Sequence, residues 1–349
     1  MRTLLLLSLA VLAGLMGIRL LLPHVVRFFI YHPEPLKPLE SDPALWGFPQ
    51  AEEVRFAAQD GVRLHAWWFP ASGRGDGGGW RAGAAGGESG AAKGGIGAAG
   101  AGAGAAGAGA GAAGAGAGGA KGEAGVSSTP RGVALYLHGN AGHLAYRGEI
   151  AAGLADLDLD ILLPDYRGYG LSQGRPDEEG LYRDAEAAYD VALERAGVGP
   201  ERLVVVGNSL GSAVAVELAR RRPVAGLVLL GAFTSTVAVA RNAFRWLPAS
   251  ALHWSAHRFD LLSRLSDAGA PLLVAVGEED RLVPVEEARR VFDAAPSPKR
   301  WYVARGVGHD DLLTHPGVWR EIRRLVDEAV GERSGTGGRQ RRPEARGSK

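Results

Sequence analysis

One stretch, residues 203–221, constrains the fold of this 349-residue chain more than any other. Its sequence, LVVVGNSLGSAVAVELARR, starts with β-branched and aliphatic residues and continues with the apolar spacing of a buried helix. The turn between them has the G-x-S-x-G pattern, whose glycines let strand and helix approach and whose serine takes a strained backbone conformation. Such a turn would lift the Ser209 hydroxyl out of the sheet and put the Leu210 N–H at a helix N-terminus. A tight turn with an incidental serine is the alternative, because so short a pattern also occurs by chance.

Strand and helix patterns alternate on both sides of this stretch. The strand patterns, in chain order, are VALYLHGN, DILLPDYRGYG, LVVVGN, VAGLVLL, PLLVAVG and KRWYVA. Strands separated by helices predict an α/β protein with a mostly parallel sheet and helices on both faces. Upstream, EEVRFAAQDGVRLHAWWFP has two alternating runs around Asp60 and Gly61, which predict an antiparallel N-terminal β-hairpin.

The N-terminal segment is apolar from Thr3 to Leu22 and stays largely apolar to residue 30. This length is close to that of a membrane-crossing helix, and its continuation favours an uncleaved signal-anchor over a cleaved signal peptide or a peripheral amphipathic helix. The short flank that contains Arg2 favours an inside N-terminus, although Arg19 and Arg27 oppose this orientation. We therefore expect a single-pass, membrane-anchored protein whose globular domain is exported.

Composition locates the remaining boundaries. Residues 73–128 are almost entirely Gly and Ala and hold much of the total of 53 glycines. A segment of this composition buries too little apolar surface to fold. Because a longer loop costs little additional closure entropy, we expect the segment to interrupt a domain without dividing it. The predicted organisation is a transmembrane signal-anchor (1–30), a connector and hairpin (31–72), a disordered Gly/Ala insertion (73–128), the main domain (129–330) with a short lid at about 232–267, and a basic disordered tail (331–349).

Several classes of chemistry are excluded or unsupported. The chain has no cysteine, which excludes disulfides, thiol catalysis and cysteine-ligated metals. A net charge of +1 gives no argument for a nucleic-acid partner. No His, Asp or Glu cluster has metal-ligand spacing, and the glycines match neither the dinucleotide nor the Walker pattern, so we predict no cofactor and no metal. The oligomeric state is left open.

Polar groups follow four of the predicted strands. They are HGNAG at 138–142, Ser209, the acidic run 278–280 and GVGHDD with His309. In parallel sheets, function gathers at the carboxyl ends of the strands. A serine nucleophile needs a base, and the base needs an acid that fixes its tautomer; serine, acid and histidine follow here in the order expected for this topology.

The motifs HGNAG, DYRGYGLSQG, GNSLGS, GEEDRLVP and GVGHDDL together resemble the α/β-hydrolase superfamily, most closely its membrane-anchored Bem46 and ABHD13/ABHD17-like branch. The resemblance covers about residues 54–330 apart from the insertion. It implies the α/β-hydrolase fold, with Ser209 as nucleophile, His309 as general base and then acid, and Asp280 as the orienting acid. It also implies an oxyanion hole made by the backbone N–H groups of Asn140 and Leu210. The insertion has no counterpart in the family pattern, and the absence of cysteine removes the lipidated N-terminal signal of the ABHD17-like members.

The family spacing G-x-x-D-x-x-V-P favours Asp280 over Glu278 and Glu279 as the acid. Asp310 and Asp311 directly follow the histidine, and a sequence neighbour rarely reaches the far nitrogen of the same ring. Both are therefore interpreted as loop or helix-capping residues.

Two other histidines, His138 and His143, flank the predicted oxyanion loop. The position of His309 after a strand favours it as the base, and His138 is interpreted as a residue that orders the loop. Asp165 is expected to be structural and to buttress the loop near the elbow.

The expected activity is that of a serine hydrolase that cleaves an ester or thioester of a lipid-like or acylated small molecule through an acyl-enzyme intermediate. A serine peptidase of the same fold and a non-catalytic binding protein at the membrane are the alternatives. The predicted lid contains Phe233, Phe244, Trp246, Trp254 and Phe259, which would either line an acyl-chain pocket or pack the lid onto the body.

Overall fold

The computed structural model describes residues 30–71, 130–243 and 257–331, together with residues 16, 17 and 27. Most of the predicted signal-anchor, the Gly/Ala insertion, the middle of the predicted lid and nearly all of the basic tail lie outside these residues. Within the part of the chain that is described, no helix is both long and apolar enough to cross a membrane.

A mixed eight-stranded sheet forms the centre of the molecule. The strands of the structure are β1 (His32–Pro33), β2 (Glu52–Ala57), β3 (Arg63–Phe69), β4 (Gly132–Leu137), β5 (Ala141–Gly142), β6 (Leu159–Asp165), β7 (Leu203–Asn208), β8 (Gly226–Leu230), β9 (Leu272–Gly277) and β10 (Lys299–Ala304). The large sheet has the order β10-β9-β8-β7-β4-β6-β3-β2, and β1 pairs with β5 in a separate two-stranded sheet. The six strands from β10 to β6 are parallel, whereas β3 is antiparallel to both of its neighbours.

In the described residues, six α-helices connect and cover the strands. They are α1 (Gly148–Ala155), α2 (Glu178–Ala196), α3 (Leu210–Arg221), α4 (Thr236–Ala243), α5 (Val285–Ala294) and α6 (Pro316–Val330). The longest, α2, begins after Asp177, whose carboxylate caps the Gly180 N–H, and ends at Gly197, which has a φ of +65°. Local sequence thus sets both ends of this helix.

The two faces of the sheet are covered by different helices. Side chains of α2, α3 and α5 pack with Leu203 and Val205 of β7 on one face. Side chains of α1 and α6 pack with Val204 and Val206 on the other. Because successive strand residues point to opposite faces, an unbroken apolar strand is what a doubly covered parallel sheet requires.

The predicted sheet and the predicted N-terminal hairpin are confirmed: β2 and β3 pair antiparallel around the turn at Asp60 and Gly61. Two local features add detail. The predicted lid, from about residue 232, contains α4 near its start, and a 3-10 turn from Leu144 to Arg147 precedes α1. The Leu144 N–H is taken by the Asp165 carboxylate at 2.7 Å, so a side chain from β6 replaces the helical turn as its partner.

We predict that Leu135→Ala in β4 lowers the free energy of unfolding by about 2–5 kcal/mol, because this side chain is fully buried between one face of the sheet and its covering helices and its loss leaves a cavity. Leu39→Ala is the matched control, since Leu39 is 89% exposed and its loss should change the stability by less than about 0.5 kcal/mol. Chemical denaturation of both variants measures the difference. Equal stabilities would contradict the assignment of β4 to the centre of the core.

Candidate active site

Ser209 occupies a strained position between β7 and α3. Its φ is +50° and its ψ is −116°, values that a non-glycine residue rarely adopts, and its N–H donates to the Leu230 carbonyl at 2.8 Å. The residue is 9% exposed, so its environment is largely protein. A hydrogen bond to β8 thereby maintains the strained backbone conformation of Ser209.

The two glycines of G-x-S-x-G are required by close packing. A Cβ at Gly207 would lie 2.5 Å from the Gly211 carbonyl oxygen and 2.8 Å from the Ala215 Cβ. A Cβ at Gly211 would lie 2.0 Å from the Leu137 carbonyl oxygen. Neither clash can be relieved by a side-chain rotation, because backbone atoms or a Cβ form the obstacle.

The structure brings together the three side chains that the sequence singled out. The Ser209 Oγ lies 2.9 Å from His309 Nε2, and His309 Nδ1 lies 2.6 Å from Asp280 Oδ2. Serine and histidine are 100 residues apart in sequence and meet because both follow the carboxyl ends of parallel strands. His309 is 14% exposed at its side chain, so one edge of the ring is open to solvent.

Asp280 is fixed on its other side by backbone donors. Its Oδ1 accepts the N–H groups of Leu282 at 3.0 Å and Val283 at 2.7 Å, and its side chain is fully buried. Three hydrogen bonds, two from the turn and one from His309, therefore hold the carboxylate against rotation.

The competing carboxylates lie elsewhere. Glu278 accepts the Gly306 N–H at 3.1 Å, and Glu279 is exposed. Asp310 and Asp311 are exposed as well, and Asp311 precedes a one-turn 3-10 helix without capping it through its side chain. Of these five acidic residues, Asp280 is the one whose carboxylate is hydrogen-bonded to the ring.

Two further glycines leave room for His309 and the loop before it, and the sequence alone did not indicate this role. Gly231 follows β8 with a φ of +59°, and a Cβ there would lie 2.9 Å from His309 Cε1. A Cβ at Gly277 would lie 2.5 Å from the carbonyl oxygens of Val307 and Gly308. Gly231 directly follows β8 and Gly277 is the last residue of β9, and these strand-end positions were the available signal, but the need for glycine arises from a loop that comes later in the chain.

The loop of residues 138–142, which the sequence predicts to supply an oxyanion donor and which is called the oxyanion loop below, packs against Ser209. Gly139 is close enough that a Cβ on it would lie 3.5 Å from the Ser209 Cβ. Within the described residues, the backbone N–H groups of Asn140 and Leu210 donate no hydrogen bond to the protein. Leu210 is the first residue of α3, so its N–H is one of the orphan donors of a helix N-terminus.

A buried polar cluster lies behind this loop. His138 Nδ1 donates to the Gly139 carbonyl at 2.7 Å, and its Nε2 lies 3.4 Å from Asp165 Oδ1. His65 Nδ1 lies 3.8 Å from Asp165 Oδ2, and all three side chains are buried. Burial by itself would raise the pKa of Asp165, but the nearby imidazole rings of His138 and His65 favour the charged carboxylate and hold that pKa below its ordinary value. Asp165 therefore supports the oxyanion loop, and His65 is a member of the cluster that sequence reasoning did not identify.

The loop after β6 is anchored by a buried ion pair. The Arg167 guanidinium donates to Asp184 of α2 at 2.8 Å and to Asp60 of the hairpin turn at 2.8 Å. The hydrogen bond from Arg167 lowers the pKa of Asp60 to about 2. Through Arg167, the hairpin turn is connected to α2.

The described part of the predicted lid has its aromatic residues in the core. Phe233 is 4% exposed and Phe259 is fully buried, where it packs edge-on against Tyr31 and Tyr182. The other predicted lid aromatics lie outside the described residues. Nothing in the described residues forms a group of three or more His, Asp or Glu side chains able to hold a metal ion.

Comparison with known proteins agrees with this fold and defines the class of the protein. A model of the alpha/beta hydrolase fold family matches residues 133–254. An uncharacterised protein of Mycobacterium tuberculosis is 42% identical over 198 residues, which are 56% of this chain and 70% of that protein. An alpha/beta hydrolase domain-containing protein of Caenorhabditis elegans is 29% identical over 194 residues, 55% of this chain and 57% of its own length. The chain belongs to the α/β-hydrolase fold family.

Solved structures agree in fold. An esterase of Pyrococcus furiosus superposes with a TM-score of 0.57 at 14% identity and covers 86% of this chain and 100% of its own. The α/β hydrolase GrgF of a Penicillium species superposes with a TM-score of 0.55 at 16% identity and covers 81% of this chain and 99% of its own. At these identities the similarity concerns the fold alone.

We predict that Gly231→Ala displaces His309 and slows the reaction of Ser209 with a fluorophosphonate at least about tenfold, the consequence of losing about 1.4 kcal/mol of transition-state stabilisation. Gly197→Ala is the matched control, because its φ of +65° imposes a similar backbone strain while its Cβ would have no atom within 4 Å. Labelling kinetics and thermal unfolding of both variants separate the two effects. The same labelling rate in both variants would show that a Cβ at position 231 does not displace His309.

Proposed function

We propose that the protein is a serine hydrolase that cleaves an ester or thioester through an acyl-enzyme intermediate. The observation that carries the proposal is the continuous hydrogen-bonded chain from Ser209 through His309 to Asp280, with contacts of 2.9 and 2.6 Å. A serine hydroxyl next to an imidazole whose far nitrogen is held by a carboxylate is the arrangement that activates serine near neutral pH.

In the proposed reaction, Ser209 Oγ attacks the carbonyl carbon of the substrate and its proton passes to His309 Nε2. The imidazolium is stabilised by the Asp280 carboxylate. The tetrahedral intermediate then collapses, and His309 gives the proton to the departing alkoxide or thiolate. Water, deprotonated by His309, attacks the acyl-enzyme, and the second collapse releases the acid and restores Ser209.

The negative charge of both tetrahedral intermediates would be bound by the N–H groups of Asn140 and Leu210. Neither N–H has an acceptor among the described residues, and Leu210 adds the positive end of the α3 dipole. Fixed donors of this kind require no reorganisation when charge develops on the substrate oxygen. This supports acyl transfer as the reaction class.

The substrate is proposed to be a small lipid-like or acylated molecule. The similarity in fold to an esterase of Pyrococcus furiosus supports a small-molecule ester over a protein substrate. The apolar N-terminal segment supports a substrate that partitions into membranes, because an anchor would keep the site next to such molecules.

The finer family assignment also belongs to the proposal. The five motifs in their order support the membrane-anchored Bem46 and ABHD13/ABHD17-like branch. Residues 1–30 are proposed to act as an uncleaved single-pass signal-anchor, with the hydrolase domain exported.

We expect Ser209→Ala and His309→Ala to abolish fluorophosphonate labelling and hydrolysis of p-nitrophenyl esters, and Asp280→Asn to lower kcat by about 10³–10⁴ because the tautomer of His309 is no longer fixed. Glu279→Gln removes a nearby exposed carboxylate and is the control, with kcat within about twofold of the wild type. An ester series of increasing acyl length, compared with acyl-thioesters, identifies the preferred substrate. A folded wild-type protein that neither reacts with the probe nor hydrolyses any ester would refute the proposed function.

For the membrane anchor, we expect the full chain to remain in the pellet when membranes are washed with alkaline carbonate, because a spanning helix resists extraction whereas peripheral contacts do not. A chain that begins at residue 31 is the matched comparison and should appear in the soluble fraction. Release of the full chain by carbonate would contradict an integral anchor.

A further inference from the structure

The connector that precedes the hydrolase domain, residues 31–36, is hydrogen-bonded to the oxyanion loop. The His32 N–H donates to the Asn140 carbonyl at 2.9 Å, and the Glu34 N–H donates to the Gly142 carbonyl at 3.3 Å. These bonds form the parallel pair β1–β5, in which Pro33 lies between the two donors and lacks an N–H of its own. The connector is therefore an added strand along the loop that borders Ser209.

The connector also binds the loop after β6. The Gly170 N–H donates to the Glu34 carbonyl at 3.0 Å, and the Leu36 N–H donates to the Gly170 carbonyl at 3.3 Å. Gly170 is itself fixed against the buried cluster, since a Cβ there would lie 1.9 Å from Asp165 Oδ2. The connector thus lies between two loops and joins them through its backbone.

Both ends of the connector are pinned by buried side chains. Tyr31 is 4% exposed, places its hydroxyl 3.3 Å from His257 Nδ1 and packs edge-on against Phe259. Leu36 is 3% exposed. The four side chains between them are exposed, so the contact with the oxyanion loop is made by main-chain atoms.

The peptide groups on both sides of Asn140 are fixed by hydrogen bonds to their carbonyl oxygens. The Gly139 carbonyl, which shares a peptide plane with the Asn140 N–H, accepts from His138 Nδ1 at 2.7 Å. The Asn140 carbonyl accepts from the His32 N–H and from the Tyr169 hydroxyl at 2.8 Å. Burial raises the pKa of Tyr169 well above its ordinary value, which favours the protonated hydroxyl that donates to Asn140. With both flanking planes fixed, the direction of the Asn140 N–H is fixed as well.

We propose that the connector is part of the catalytic apparatus: the His32 N–H, together with the Tyr169 hydroxyl, positions the Asn140 N–H for the oxyanion. The inference rests on the proposed function of Ser209 and Asn140. His32 and Tyr169 touch no reacting atom and act through Asn140, so both are positioning residues.

The test compares His32→Pro, which removes the N–H, with His32→Ala, which keeps it, in the full-length chain. We expect kcat for a p-nitrophenyl ester to be at least about tenfold lower in the proline variant than in the alanine variant, a smaller loss than the ~10²–10³ that removal of an oxyanion donor causes. KM should change by less than about twofold, because ground-state binding does not use this donor. The concentration of active sites, titrated with a fluorophosphonate, corrects kcat for any unfolded protein.

Inhibition by phenylboronic acid adds a readout that a purely structural role would not change. Its adduct with serine is tetrahedral, so its Ki should rise by the same factor as kcat/KM falls. Tyr169→Phe keeps the buried ring and removes only the hydroxyl, and it should lower kcat and raise this Ki in the same direction without a proline in the chain.

The outcomes separate the two hypotheses. If wild-type protein shows no esterase activity, the proposed function fails. If the wild type is active but the proline and alanine variants of His32 have equal kcat per active site and equal Ki, the connector has no positioning role. A loss of folded protein alone, with unchanged kcat per titrated site in both the His32 and Tyr169 variants, overturns the inference in the same way.

Discussion

The close approach of α3 to β7 and β4 is the constraint on which the rest of the site depends. Gly207 and Gly211 leave no room for a Cβ, and between them Ser209 is held at a φ of +50° by its bond to Leu230. This packing sets where α3 begins, and therefore where the orphan Leu210 N–H points. A looser contact would relax the strain and move the hydroxyl and this donor together.

The parallel sheet then supplies the remaining groups at low entropic cost. Its carboxyl ends bring the oxyanion loop, Ser209, Asp280 and His309 to one edge, although the last two are separated from the first by more than half of the domain. Two of these groups are supported by contacts outside the site. Two backbone N–H groups of the turn bind Asp280, and the buried cluster of His65, His138 and Asp165 packs behind the oxyanion loop. Rigid support of this kind is what electrostatic preorganisation requires, because donors that move must be reorganised in every turnover.

The pattern of agreement between sequence and structure has a physical basis. The strands and the hairpin were predictable because apolar alternation and turn residues are local signals, and five ordered motifs indicated Ser209, Asp280 and His309 before any coordinates. Strand β1 was not predictable, since a segment as short and proline-rich as HPEP has no strand pattern of its own and pairs only because a loop more than 100 residues later offers its carbonyl groups. The requirement for glycine at Gly231 likewise depends on where His309 lies.

By itself the sequence determined the alternation of strands and helices, the elbow around Ser209 and the order of the polar strand ends, because these depend on residue type and local spacing. Only the tertiary structure decided that His65 joins Asp165 behind the oxyanion loop, that Gly231 must leave room for His309, and that the connector at His32 binds the Asn140 carbonyl. These depend on distances between atoms that are remote along the chain. Such distances are fixed by packing of the whole sheet and its helices, not by any segment alone.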